Sequence, residues 1–414
     1  MTTQWTERYA ARTQRMRSSA IRELLKLTQQ PDIISFAGGL PAPELFPREQ
    51  VKAATARVLD EQGCQALQYS ITEGYPPLRE MIVRHMRRYG IKCTIDNVLI
   101  TAGSQQALDL IGKILIDPGD KILVEVPTYL GALQAWNAYL AEYVTVPMDD
   151  EGMRVDEVES ILRKERIKFI YALPNFQNPS GITLSRERRM ELVRLANEYG
   201  VPIIEDDPYG QLRYEGEHEP PLIVLDTQGR PEECNGTLVN SNVIYLSTFS
   251  KTLCPGFRVA WMVGPREVIA RAVQAKQGSD LHTGTFAQMV AYETARGGFL
   301  DRHVREIRKV YRERRDLMLA LMEEHFPPGV TWTRPKGGLF LWVRLPEGMD
   351  SVALLEKAIA QKVAFVPGSA FYPHGGGENA MRINFSYMPP DLIEEGIRRL
   401  ATAISMEMQG VSVR

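Results

Sequence analysis

The chain has 414 residues, too long for one simple hydrophobic core, so two domains are expected. Hydrophobic residues make up 44% and charged residues 24%, the balance of an ordinary globular protein, with a formal net charge of −2. That charge excludes broad attraction to nucleic acid or an anionic membrane, so any anion site must be local. No apolar run approaches the roughly 20 residues of a membrane span, and the basic N-terminus lacks the apolar stretch of a secretory signal. Four dispersed cysteines (Cys64, Cys93, Cys234, Cys254) without CxxC spacing point to free thiols in a reducing cytoplasm. Six scattered histidines give no metal-ligand pattern, and no metal is expected.

The first predicted element is a helix over 20–28, where Ile21, Leu24 and Leu25 recur at helical spacing and Arg22, Glu23 and Lys26 take the other face. An extended segment rich in glycine and proline, SFAGGLPAPELFP, follows it. From about Pro47 onward, helical stretches alternate with short apolar runs: NVLIT, KILVEV, FIYAL, VPIIEDD, VIYLST and VAWMV. That alternation predicts an α/β domain with a mainly parallel sheet covered by helices on both faces. The proline- and glycine-rich stretch 215–242 reads as a surface excursion without chemistry. A charged amphipathic run over 299–324 leads out of this large domain. The runs VTWTRPKGG, LFLWVRLP, VAFVPGS and AMRINFS, with helices over 351–361 and 391–406, predict a smaller α+β domain completed by the N-terminal segment. The resulting division is 1–46, 47–305 and 306–414.

Four short motifs carry chemistry. In VIYLSTFSKTLCPGFRVAWMV, Lys251 lies in a polar turn between two probable strands, with Thr248 and Ser250 before it and Arg258 seven residues on. Hydroxyls and a guanidinium around one amine can hold a phosphate beside a reactive nitrogen. A lysine that forms a Schiff base with pyridoxal 5′-phosphate needs those groups. In NVLITAGSQQAL, a strand runs through Gly103 into a helix that Ser104 is suited to cap. Ser104, Gln105 and the first-turn N–H groups there make an anion site, although a capped helix alone would read the same way. In VPIIEDDPYG, a strand ends in adjacent carboxylates. Asp206 is chosen to hold a pyridine nitrogen protonated, because Tyr209 three residues later can then reach the same ring, while Glu205 and Asp207 read as a solvated acidic turn. In YALPNFQNPSG, Pro179 fixes a turn that presents Asn178, a pattern that turn chemistry also explains. Arg382, inside the predicted inner strand AMRINFS, is expensive to bury unless paired. Its planar fork suits an α-carboxylate, with an internal salt bridge as the competing account.

In order, GGLP (residues 38–41), LQYS…EGYPPLR, TAGSQQAL, P-TY (127–129), NPSG, DDPY, FSK with Arg258, and then Arg382 resemble fold-type I pyridoxal-phosphate aminotransferases of class I. The chain is most similar to the kynurenine/α-aminoadipate aminotransferase group, and the likeness spans nearly its whole length. The resemblance implies that Lys251 binds the cofactor and shuttles a proton, that Asp206 pairs with its ring nitrogen, and that Tyr209 and Asn178 bond its ring oxygen. It further implies that Tyr129 stacks on the ring and that Gly103, Ser104, Gln105, Thr248, Ser250 and Arg258 hold the phosphate. Tyr69 would come from the partner subunit of a homodimer. Gly39, Asn178 and Arg382 would hold the substrate α-carboxylate. Arg22, with Ser19 nearby, would meet a distal carboxylate, though an arginine on the polar face of an amphipathic helix is also ordinarily solvated. The implied reaction is transamination by a ping-pong route, with 2-oxoglutarate as an expected acceptor. A β-lyase or decarboxylase on the same fold would share the cofactor motifs. A regulator with an appended winged helix is disfavoured by the three dozen residues that precede GGLP.

Overall fold

A computed structural model of the chain describes residues 3–16, 32–228 and 237–411. The predicted helix over 20–28, and with it Ser19 and Arg22, lies outside the described residues. In chain order the elements are β1 (Ile34–Ser35), α1 (Arg48–Ala66), α2 (Pro76–Arg88), β2 (Val98–Thr101), α3 (Ser104–Leu115), β3 (Lys121–Val126), α4 (Leu130–Asn137), β4 (Glu142–Asp149) and β5 (Gly152–Met153). There follow α5 (Val155–Lys164), β6 (Ile167–Ala172), α6 (Arg186–Tyr199), β7 (Ile203–Asp206), α7 (Leu222–Gln228), β8 (Val243–Thr248), β9 (Ala260–Val263), α8 (Arg266–Gln277) and α9 (Thr285–Ala295). The chain ends with α10 (Phe299–His325), β10 (Thr331–Trp332), β11 (Phe340–Arg344), α11 (Ser351–Ala360), β12 (Val363–Ala364), β13 (Val366–Pro367), β14 (Ala380–Asn384) and α12 (Pro390–Val411).

Eight strands form one sheet in the order β2-β9-β8-β7-β6-β3-β4-β5. The neighbours from β8 to β4 are all parallel, whereas β9 runs antiparallel to both β2 and β8. The strands β2, β7, β8 and β9 are buried at every residue, β2 included although it ends the sheet, and burial on both faces explains why they read as continuous apolar runs rather than alternating ones. Helices cover both faces: one buried cluster contains Leu108, Ile111, Trp136 and Phe169, and the other contains Leu78, Ile82, Leu192 and Met289. The strand β4 was not among the predicted runs. It lies toward the sheet edge with most of its residues only part-buried, so its sequence carries no continuous apolar signal.

A second, smaller unit has a four-stranded antiparallel sheet, β10-β11-β14-β13, packed against α10, α11 and α12. The N-terminal segment joins it: β1 pairs in parallel with β12, and Ile33, Ile34, Phe36, Ala37 and Ala42 share its buried core. Residues 215–242 depart from the expected surface excursion. They contain α7, whose Leu222, Ile223 and Val224 are buried. The start of α7 is held by Glu205, whose two carboxylate oxygens accept the N–H groups of Leu222 at 2.8 Å and Ile223 at 2.9 Å. Glu205 and Asp207 are therefore both buried, not solvated.

Candidate active site

The site lies along the carboxyl ends of β2, β3, β6, β7 and β8. Lys251 follows the end of β8 and is part-buried; its Nζ donates to the carbonyl of Gly39 at 2.7 Å. Burial, followed by the nearby Arg382 and Arg258 guanidinium groups, pushes the amine down from 10.5 to about 8. Both causes disfavour the charged form, so the amine is poised as a nucleophile and base near neutrality.

Asp206 ends β7 with 2% of its surface exposed. Tyr171 on β6 donates to its Oδ2 at 2.9 Å, while Oδ1 is buried without a hydrogen-bond partner among the described residues. Burial raises this carboxyl from 3.8 to about 7. An unpaired buried acid oxygen calls for a cationic or protonated partner. Asp207 is different. It accepts Asn175 Nδ2 and the Gly210 N–H at 2.9 Å and the Tyr245 hydroxyl at 3.0 Å, so it braces the turn and has no free face.

The anion cradle is built from two segments. Gly103, at φ +86°, is the N-cap of α3, and the expected Ser104 cap is not formed. The reason is steric. At φ +86° any side chain at Gly103 is strained, and a Cβ there would also sit 2.2 Å from Arg258 Nη2 and push the guanidinium away, so glycine suits the cap position. Ser104 moves into the first turn, where its Oγ is buried without a partner among the described residues. Across from it, Thr248 Oγ1 donates to Ser250 Oγ at 2.9 Å, and Arg258 Nη1 donates to the same Ser250 oxygen at 3.4 Å. Arg258 itself is in the left-handed region at φ +52°. Gln105 is turned elsewhere, its Nε2 donating to the Gly131 carbonyl at 2.7 Å.

The remaining predicted residues line the same space. Asn178 lies close enough to the Tyr209 phenol to favour its ionised form, and its Oδ1 accepts Arg382 Nη1 at 2.7 Å. Arg382 is 1% exposed, and its Nη2 donates to the Ala37 carbonyl at 2.7 Å. Its guanidinium carbon lies 4.3 Å from the centre of the Phe340 ring, and its Nε has no partner among the described residues. No carboxylate among those residues pairs with it, which removes the internal salt bridge as an explanation. Tyr129 caps α4 and is close enough to Asp206, Arg382 and Arg258 to feel their charges. Tyr69 stands apart: it is 79% exposed, with its ring edge-on to His282 at 5.9 Å.

Sequence reasoning missed Tyr171 and Gln177. Gln177 Oε1 accepts both the N–H and the hydroxyl of Ser180, and its Nε2 donates to the Pro127 carbonyl at 2.7 Å, so it stitches the Asn178 turn to the loop after β3. Tyr171 was signalled only by a lone polar group in an apolar run, and Gln177 only by its place in the polar Asn-Pro turn.

A poised buried amine, a strand-end acid with a free oxygen and a hydroxyl–guanidinium cradle, all on one edge of an α/β sheet, define a pyridoxal-phosphate enzyme. The orphaned Asp206 Oδ1, Ser104 Oγ and Arg382 Nε and the glycine-only gap beside Arg258 fit that cofactor and an amino-acid carboxylate. The sequence model of the family aminotransferase class I and II matches residues 32–400, and the chain belongs to that family. It is 48% identical over 400 residues to aromatic-amino-acid aminotransferase 1 of Thermococcus litoralis, covering 95% of this chain and 93% of that one. It is 44% identical to a 2-aminoadipate transaminase of Thermus thermophilus, covering 97% of each. The crystal structure of an α-aminoadipate aminotransferase from Thermus thermophilus, complexed with N-(5′-phosphopyridoxyl)-L-leucine, matches with a TM-score of 0.91 at 42% identity, covering 98% of this chain and all of that one. The protein is a fold-type I, pyridoxal-phosphate-dependent aminotransferase.

Proposed function

We propose that the enzyme moves the amino group of 2-aminoadipate, glutamate, leucine or an aromatic L-amino acid to 2-oxoglutarate or a similar 2-oxo acid, by a ping-pong route. The breadth of donors is supported by relatives named for aromatic amino acids and for 2-aminoadipate, and by the leucine adduct bound to the Thermus enzyme. The single observation that carries the assignment is the Lys251 amine, donating to the Gly39 carbonyl, set in one site with the unpaired oxygens of Asp206 and Ser104. Bound pyridoxal 5′-phosphate supplies the electron sink that lets the Cα–H bond of an amino acid ionise.

The chain's own residues do the rest. Ser104, Thr248, Ser250, Arg258 and the first-turn N–H groups of α3, with Gly103 as the turn that lets them converge, hold the phosphate. Gln105 supports that cradle by tying α3 to the Tyr129 loop. Asp206 holds a cation at the ring nitrogen through its unpaired oxygen, and Tyr171 keeps the carboxylate oriented. Tyr209 and Asn178 bond the ring oxygen, and Tyr129 covers the ring face. Arg382, with Asn178 and the Gly39 backbone, holds the substrate carboxylate. Lys251 takes the proton from the substrate Cα and can hand it back. Arg22 and Ser19 are assigned to the distal end of the donor.

A homodimer belongs to the same proposal and is supported by the exposure of Tyr69, which is assigned to the partner's phosphate. Cytoplasmic residence is supported by the free cysteines. The division into 1–46, 47–305 and 306–414 is supported by the core that residues 33–42 share with α10 to α12.

Lys251→Ala tests the assignment: visible absorbance of the bound cofactor and turnover should both vanish, and retained turnover would refute it. A panel of amino donors, repeated with Arg22→Ala, tests the specificity. A selective loss for acidic donors is expected, and an equal fall across the panel would leave Arg22 without a recognition role. Gel filtration that finds an active monomer would overturn the dimer.

A further inference from the structure

Lys276, in α8, has no exposed surface, a rare position for an ammonium group. Its Nζ donates to both oxygens of Asp280 at 2.8 Å and to Gln106 Oε1 at 2.7 Å. Gln106 Nε2 donates in turn to Asp280 Oδ2 at 2.6 Å, which closes a ring of three side chains. Gln106 is the third residue of α3, and it grips the turn before that helix twice. Its Oε1 accepts the Ala102 N–H at 2.8 Å, and its own N–H donates to the Gly103 carbonyl at 3.1 Å.

A buried ion pair gives little net stability relative to apolar side chains of the same volume. Stability alone therefore gives weak reason for a lysine here. Its geometric consequence is specific: Gln106, which could otherwise turn to solvent, has its amide fixed on both sides. The turn it fixes carries Gly103 at φ +86° with the Arg258 guanidinium directly against it, so a shift of the turn would move the two apart.

We propose that Lys276 is a positioning residue for cofactor binding, clamping Gln106 and Asp280 so that the Ala102–Gly103 turn stays in register with Arg258 as one anion cradle. The clamp touches neither phosphate nor substrate, and it acts only through Gln106. The proposal rests on the assignment of that turn to the cofactor phosphate.

The test measures pyridoxal 5′-phosphate affinity directly, by titrating cofactor-stripped protein and following visible absorbance. Lys276→Met keeps an unbranched apolar stem one atom shorter and leaves Asp280, 31% exposed at its side chain, free to be solvated. The variant should raise the dissociation constant about tenfold while kcat at saturating cofactor stays within about twofold. In a Gln106→Ala background the same substitution should have no further effect on affinity, because the route runs through Gln106. An unchanged dissociation constant, or effects of Lys276→Met and Gln106→Ala that simply add, would overturn the proposal whatever happens to the melting temperature. If Lys276→Met does not fold, Asp280→Asn at the outer end of the clamp carries the same test, with the same expected direction and the same refuting result. Wild-type protein that binds no cofactor would instead sink the assignment of the site itself, so the two failures are distinguishable.

Discussion

Asp206 gives the sharpest physical test of the site. Its carboxyl is raised from 3.8 to about 7, first by burial, with Tyr171 opposing the rise and Asp207 adding to it. The unfolded chain releases this proton above about pH 4 and the folded chain only above about pH 7, so between these values the unfolded state binds fewer protons. Stability of the cofactor-free protein must then fall as pH rises through that window. Integrated from about pH 5 to about pH 8, one such group removes about 3 kcal/mol. Asp206→Asn cannot ionise and should not lose this stability. Urea unfolding of cofactor-free wild type and Asp206→Asn at both pH values measures the difference directly. Glu125 and Glu205, each pushed by burial to about 8, contribute equally to both proteins and cancel in the comparison. Adding pyridoxal 5′-phosphate should flatten the wild-type profile, because a cation at the free Oδ1 offsets the desolvation. Identical pH dependence in the two cofactor-free proteins would refute the reasoning.

Three further outcomes are expected. Gly103→Ala forces a side chain onto a backbone at φ +86° and into Arg258, and should weaken cofactor affinity at least about a hundredfold by absorbance titration, the steric and conformational costs acting together. An unchanged affinity would mean that the turn does not form the cradle. Arg382→Lys keeps the charge but cannot bond Asn178 and Ala37 while presenting a fork to a carboxylate. It should cut kcat/KM by about a hundredfold for every donor with cofactor absorbance intact, and a loss confined to acidic donors would move the α-carboxylate contact elsewhere. Glu205→Gln should cost about 2 kcal/mol of unfolding free energy, because Leu222 and Ile223 donate to different carboxylate oxygens and the amide turns one of those acceptors into an NH2 donor. The same variant should leave kcat unchanged, since Glu205 points to the sheet face opposite Asp206.

What could be read from the sequence divides along physical lines. The fully buried strands were legible because double burial demands unbroken apolar runs, and the lysine turn was legible because its hydroxyls and arginine lie within eleven residues of one another. Strand β4 was not, since a part-buried strand needs no such run. The cap of α3 went to Gly103 rather than Ser104 because a contact with Arg258, 155 positions away, outranks the local preference for a serine cap. Glu205 and Asp207 looked like solvated acids because their partners, the start of α7 on one hand and Asn175, Gly210 and Tyr245 on the other, are brought to them by tertiary folding. Apolar residues 222–225 were in view, but the surrounding prolines and glycines concealed a helix that depends on Glu205 to start.

The convergence itself follows from strand direction. The strands β3, β6, β7 and β8 are parallel, and β2 shares their direction because both β2 and β8 run antiparallel to the intervening β9. Every loop that leaves a carboxyl end of these strands therefore emerges on one edge of the sheet. Gly103, Tyr129, Asn178, Asp206 and Lys251 follow or end β2, β3, β6, β7 and β8 in that order, so groups nearly 150 residues apart in the chain meet without any of them needing a long reach. Arg382 and Gly39 come from the smaller unit and close the site from the other side, Arg382 through Asn178 and Gly39 through Lys251. Both of these hydrogen bonds between the two units end on groups assigned to the reaction. A change in how the units sit against each other must then alter the partners of Lys251 and of Arg382 together.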